Sequence, residues 1–127
     1  MSALVLDAGA LVAVDRGDRS MAARLQIAAQ HGFELRTNAM VIAQVWRDSR
    51  GRQARLAQLL RAVDVRPVSR LDGERAGLLL AAAGTSDAVD ATVVLLAQAG
   101  DRVLTSDAGD LTQLVAAAAN GCVIVAC

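Results

Sequence analysis

Short apolar runs alternate with longer helix-patterned stretches along all 127 residues of this chain. Ala3–Leu6 reads as a buried strand that stops at Asp7-Ala8-Gly9, and residues 10–14 continue as a helical turn. A helix over about residues 18–30 ends near Gly32, and residues 33–36 form a second strand. Asn38 caps a helix running through Met40, Val41 and Trp46 to about Arg50. Beyond Gly51, Leu56, Leu59, Leu60 and Val63 keep the i, i+3, i+4, i+7 spacing of a helix. Residues 63–68 form a strand containing the one proline, Pro67, which assigns it to a sheet edge. Residues 71–83 are helical up to Gly84, and residues 87–99 up to Gly100, each glycine a C-terminal stop. Residues 102–105 are a strand, 109–119 a helix and 122–126 a final strand. The alternation predicts an α/β fold in one domain, residues 1–127. Its central, mainly parallel sheet has about five strands, with helices on both faces.

Composition narrows the chemistry. The apolar share is 54%, too high for a disordered chain. All 13 basic residues are Arg, so no Schiff-base, P-loop or kinase lysine exists. The net charge is zero, so no global field attracts nucleic acid. Eight of the 13 Arg fall between Arg47 and Arg75, and five Asp between Asp87 and Asp110. With Phe33 and Trp46 as the only aromatics, a base-stacking platform is excluded, leaving Arg–phosphate contact. Cys122 and Cys127 point to opposite faces of a strand, an arrangement poor for a disulfide and expected of reduced thiols. No apolar run reaches the ~18 residues of a membrane span, and the N-terminus has no basic leader. A cytoplasmic protein without membrane attachment is expected.

In open parallel sheets, ligands bind beyond the carboxyl ends of the strands. Asp7 ends the first strand and Asp107 follows the strand Val103-Leu104-Thr105. Asp87 and Asp90 open the helix before that strand, one turn apart on one face. Asp110, three residues past Asp107, can share the rim. Two carboxylates about 4 Å apart repel by ~4 kcal/mol at an effective dielectric of 20, so such a cluster binds a cation or takes up protons. All-oxygen donors suit Mg²⁺ or Mn²⁺, and no His or Cys nearby invites zinc. Each acid also has a plainer reading. Asp7 is a turn former, Asp87, Asp107 and Asp110 serve helix starts, and Asp90 sits on a solvated helix face.

Strand-Asp7-Ala8-Gly9-Ala10-Leu11, Asp87-Ala88-Val89-Asp90-Ala91 and Leu104-Thr105-Ser106-Asp107-Ala108-Gly109-Asp110-Leu111, in series, resemble PIN-domain ribonucleases. Order, spacing and length look most like the toxin component of VapBC toxin–antitoxin systems. The resemblance runs from residue 3 to about 126. It implies a PIN-like domain and a Mg²⁺- or Mn²⁺-dependent endoribonuclease acting on structured RNA such as tRNA or rRNA. It also implies a homodimer and neutralisation by a cognate VapB-type antitoxin. On the matching positions, Asp7, Asp90 and Asp107 hold the metal, Asp87 and Asp110 are secondary, and Thr105 or Ser106 orients ligands by hydrogen bonds. Asp87 is the candidate to orient the attacking water. Arg47, Arg50 and Arg52, expected on adjoining helices, are candidates for flanking phosphates.

One departure stands out. Gln44 occupies the place where the family usually carries an acid on the helix after the second strand. It can hold a hydrogen bond but brings no charge. Asp48, one turn on, is a poor substitute, and Asp87 a better one. The alternative is therefore a weak or inactive PIN-like module that binds RNA or a protein partner. Receiver, haloacid-dehalogenase and dinucleotide folds fall on missing residues: the acid pairs and Lys of the first two, and G-x-G-x-x-G of the third. His31 is read as a helix C-terminal partner and Trp46 as core or interface. Met21, Leu25, Ile27, Leu56, Leu59 and Leu60 are read as core, with a dimer or antitoxin groove as their functional alternative.

Overall fold

The computed structural model describes residues 2–47 and 50–127. Along them run β1 (Ala3–Leu6), α1 (Ala8–Asp15), α2 (Arg19–Gln30), β2 (Glu34–Asn38), α3 (Ala39–Val45) and α4 (Ala54–Leu60). Then follow β3 (Asp64–Arg66), α5 (Arg70–Ala83), α6 (Ala88–Leu96), β4 (Arg102–Thr105), α7 (Ala108–Ala118) and β5 (Val123–Ala126). The sheet is wholly parallel, in the order β3-β2-β1-β4-β5. From β1 the chain steps outward to β2 and β3, then returns across the sheet to β4 and β5. Right-handed crossovers convert that reversal into helices on both faces. Accordingly α1 packs with α2 and α4, while α5, α6 and α7 pack with one another.

β1 is central, and all four of its residues are buried. That is why the run is continuously apolar instead of alternating. Leu11, Leu25 and Leu56 fill the core from the α1, α2 and α4 side, and Val93, Val94, Leu111 and Leu114 from α6 and α7. β3, with Pro67 just beyond it, is an edge strand, as the proline requires. Asn38 caps α3 as read from the sequence, accepting from Val41 N at 3.0 Å, and Asp18 caps α2, accepting from Met21 N at 3.0 Å. His31 closes α2, its Nδ1 donating to Ile27 O at 2.8 Å.

Two helices end earlier than their sequence patterns suggest, and in both a distant side chain takes the terminal carbonyls. α3 stops at Val45, not Arg50. The buried Gln53 donates to Val45 O at 2.9 Å and accepts from Arg47 N at 2.7 Å, with Trp46 already extended. α6 stops at Leu96, not Ala99. Asn120 donates to Val94 O and Ala97 O, and Arg36 to Leu96 O. Gly100, at φ +85°, turns the chain into β4 instead of capping α6.

The core reading holds for Met21, Leu25 and Leu56, whereas Ile27 is 54% exposed and Trp46 is 37% exposed. Both cysteines are free thiols. Among the described residues no single helix is long and apolar enough to cross a membrane, and α5 and α6, which would suffice together, meet at 107°.

Candidate active site

β1 and β4 are neighbours, and the chain leaves them toward opposite faces, into α1 and α7. This is the topological switch point of the sheet, where a crevice opens at the carboxyl edge. The β1–α1 turn brings Asp7 to it, and the β4–α7 turn brings Ser106 and Asp107. Asp110 stands in the first turn of α7, and α6 delivers Asp87 and Asp90 from its own start.

Asp7 is buried, and its Oδ1 accepts from Gly9 N at 2.8 Å, so it caps α1. Burial raises its pKa, the Thr105 hydroxyl and the Gly9 and Ala10 amides oppose the rise, and the charge of Asp107 adds to it. The net direction is upward. Thr105 is fully buried, and its Oγ1 accepts from Asp107 N at 3.0 Å while the hydroxyl serves Asp7. One hydroxyl thus stands between two acids of the rim. Ser106 is exposed and stands against Gly9.

Asp87 caps α6, accepting from Asp90 N at 2.9 Å, so its plainer reading is realised. Asp107 occupies the cap position of α7 but makes no cap bond. Its carboxyl instead shares a hydrogen bond with that of Asp110, which raises the Asp110 pKa. Asp90 is half-buried, and its pKa is pushed up to about 6. Burial is the main cause, followed by the charges of Asp87, Asp7, Asp110 and Asp107. A single carboxyl therefore feels all four others, and its plainer reading as a solvated face residue is set aside. A pocket of about 300 Å³ lies beside it, lined by Thr85, Asp87, Asp90, Asp110 and Gln113 among others.

Among the described residues no three His, Cys, Asp or Glu side chains surround one point as a metal ion requires. The donor chemistry of the acids and the hydroxyl nonetheless fits a hard divalent cation. The expectation that no Cys lies near the acids is corrected: Cys127 N donates to Thr105 O at 2.9 Å, and burial together with the charge of Asp7 raises the Cys127 thiol pKa. Asp101, the remaining acid of the C-terminal group, is not in the cluster. It is buried, accepting from Ala3 N at 2.8 Å and Gln98 N at 2.9 Å. The sequence carries no local sign of that role.

Gln44 is exposed on α3 and makes no hydrogen bond among the described residues. Asp48 lies outside the described residues. Arg47, Arg50 and Arg52 are exposed, but they sit in the connection between α3 and α4 and not on helices. The guanidinium of Arg47 folds back onto Ala43 O at 2.9 Å and Trp46 O at 2.6 Å, so it closes the end of α3.

Two predictions arise here. A Cβ at Gly9 would stand 2.6 Å from Ser106 Cβ, nearer than such carbons approach. Gly9→Ala must push the two turns of the crevice apart, at about 1–3 kcal/mol. Adding Ser106→Gly is expected to restore much of that loss in urea melts, and strict additivity of the two changes would refute the contact.

Asp90 holds its proton more tightly folded than unfolded, so ionisation costs stability. The cost is absent below about pH 4, the unfolded value, and complete above about 6. Asp90→Asn should therefore raise stability at pH 7.5 in EDTA by about 1 kcal/mol, a figure reduced for solvent screening of a half-exposed group. The gain should vanish at pH 4. Thermal melts at both pH values check the sign.

No family model and no curated protein matches the sequence. A search of solved structures finds a match in the crystal structure of VapBC2 from Rickettsia felis bound to a DNA fragment from their promoter. The identity is 13%, the TM-score 0.72, and the alignment covers 100% of this chain and 99% of that one. The two chains share a fold. At that identity the likeness speaks for the architecture, including the switch point, and the residues at the rim must speak for the chemistry.

Proposed function

We propose that this protein is a Mg²⁺- or Mn²⁺-dependent endoribonuclease that hydrolyses phosphodiester bonds of structured RNA, tRNA or rRNA. In the same reading it is the toxin of a type II toxin–antitoxin system: cytoplasmic, homodimeric and held in check by a VapB-type antitoxin. The observation that carries the proposal is the meeting of Asp7, Asp87, Asp90, Asp107 and Asp110 at the switch point between β1 and β4. A fold shared with a chain of a VapBC structure supports the toxin–antitoxin part.

Asp7, Asp90 and Asp107 would hold the cation. When bound, it supplies positive charge for the scissile phosphate and acidifies a water at neutral pH. The rest falls to the chain itself. Thr105 fixes the carboxylate of Asp7 by its hydroxyl, and Asp110 steadies Asp107. Asp87 orients the water for in-line attack, its own place fixed by the cap it makes. In the metal-free chain Asp90, with a pKa near 6, takes up a proton just below neutral pH and would give it up on binding a cation.

A second reading is a weak or inactive PIN-like module that binds RNA or protein. The uncharged Gln44 and the lack of three converged ligands among the described residues favour it. One experiment separates the two. Purified protein, freed of any antitoxin, is incubated with total RNA in EDTA, Mg²⁺ or Mn²⁺. Discrete fragments that need the metal, and that fade steeply with salt, support the nuclease. Folded protein giving none with either metal favours the binding module and makes Gln44→Glu the variant to test for gain of activity.

A further inference from the structure

A second depression opens on the other side of the Gly9–Ser106 contact from the acids. It encloses about 400 Å³ and is lined by Gly9, Val12, Ala13 and Arg16 of α1 and its end, with Gly17 and Ser106. The α1 residues are spaced i, i+3, i+4, i+7, so they form one face of the helix, and the cleft runs along it. Arg16 stands about 10 Å along the axis from Gly9. That spacing suits a phosphate neighbouring one at Asp7. The guanidinium of Arg55, from α4, joins it: a Cβ on Gly17 would lie 3.4 Å from both Arg55 Cζ and Nη1.

Neither Arg16 nor Arg55 makes an ion pair or side-chain hydrogen bond among the described residues, and both are exposed. The one acid in the cleft, Asp18, is engaged in capping α2, 3.0 Å from Met21 N. Thus Arg16 lines the cleft, Arg55 stands beside its Gly17, and Ser106, next to Asp107 in the chain, lines the same cleft.

We propose that this cleft is a phosphate subsite of the RNA path, in which Arg16 and Arg55 hold a backbone phosphate flanking the scissile one. The inference rests on the ribonuclease reading above and assigns the direction the strand takes, from the acids across Ser106 along α1. Backbone contact by arginine without base readout also agrees with the lack of a stacking platform.

The test measures RNA binding against salt in the Asp7→Asn background, and cleavage kinetics in the otherwise native chain. Arg16→Ala and Arg55→Ala should each lower the slope of log K against log salt by about one, and the double variant by about two. KM should rise several-fold in each, with kcat little changed, and Arg16→Lys should keep most of the slope. Arg70→Ala, an equal loss of charge on α5 at a residue paired with Glu74, should leave the slope unchanged. If Arg16→Ala and Arg55→Ala behave like Arg70→Ala while the native chain still binds and cleaves, the subsite is wrong and the nuclease stands. If the native chain neither binds nor cleaves RNA at any salt concentration, both fall.

Discussion

If the chain is the proposed metal-dependent ribonuclease, Asp7→Asn is expected to lower its RNA cleavage by about 100-fold or more while leaving the fold intact. The reasoning separates the two roles of one side chain. As a cap, Asp7 offers Oδ1 to Gly9 N, and asparagine caps a helix about as well as aspartate. With its one oxygen on Gly9 N, asparagine turns its NH2 to the Thr105 oxygen, and it removes a charge that burial disfavours. Stability should hold or rise slightly. As a ligand, however, the amide contributes no charge. Loss of an outer-shell partner at a metal site already costs about 10–100-fold in affinity or activity, so loss of a ligand should exceed that range. The readouts are kcat/KM against a defined RNA and the melting curve of the same sample. A variant that melts normally and still cleaves would remove Asp7 from the chemistry and leave it as a cap alone.

Asp101→Ala is expected to cost about 3 kcal/mol, a large share of the 5–15 kcal/mol typical of a domain. Asp101 is 4% exposed, and its two oxygens satisfy the amides of Ala3 and Gln98. Its Oδ2 also lies 3.7 Å from Arg36 Nη1. Truncation leaves the buried Ala3 N–H and the part-buried Gln98 N–H without these partners and removes one counter-charge from a buried guanidinium. Arg36 keeps Glu34 at 3.3 Å and Asp64 at 3.8 Å, which holds the loss near the lower end for a broken buried pair. Asp101→Asn, which retains an acceptor, should fall between the two. Urea denaturation gives the comparison, and an unchanged midpoint in Asp101→Ala would contradict the account. Activity should fall as well, because Asp101 ties the end of α6 to the start of β1, two of the elements that carry site acids.

The difference between Asp7 and Asp101 marks how far the sequence could be read. Asp7, Asp87, Asp90, Asp107 and Asp110 stand out because each follows a short apolar strand or opens a helix, and both signals are local. Asp101 precedes a strand instead, and its partner Ala3 is 98 positions away, so nothing nearby announces its role. Gln53 and Asn120 escaped for the same reason. Each ends a helix that its own sequence would have continued, Asn120 from more than 20 positions away and Gln53 by a loop that folds back over eight. The arginines show the converse. Arg47, Arg50 and Arg52 drew attention as a dense run, yet Arg47 is spent on its own helix end. Arg16 and Arg55 are far apart in sequence and are joined by the packing of α4 on α1.

By itself, then, the sequence determined the alternation of strands and helices, the all-oxygen character of the acidic motifs and the helix caps. Those depend on side-chain period and on hydrogen bonds spanning two or three residues. Only the tertiary structure decided which strands adjoin, and so that the turns after β1 and β4 meet at one crevice. It also decided that Asp90 feels four other carboxylates and that Gly9 must lack a side chain. Those are distances across the sheet, fixed by packing both of its faces at once.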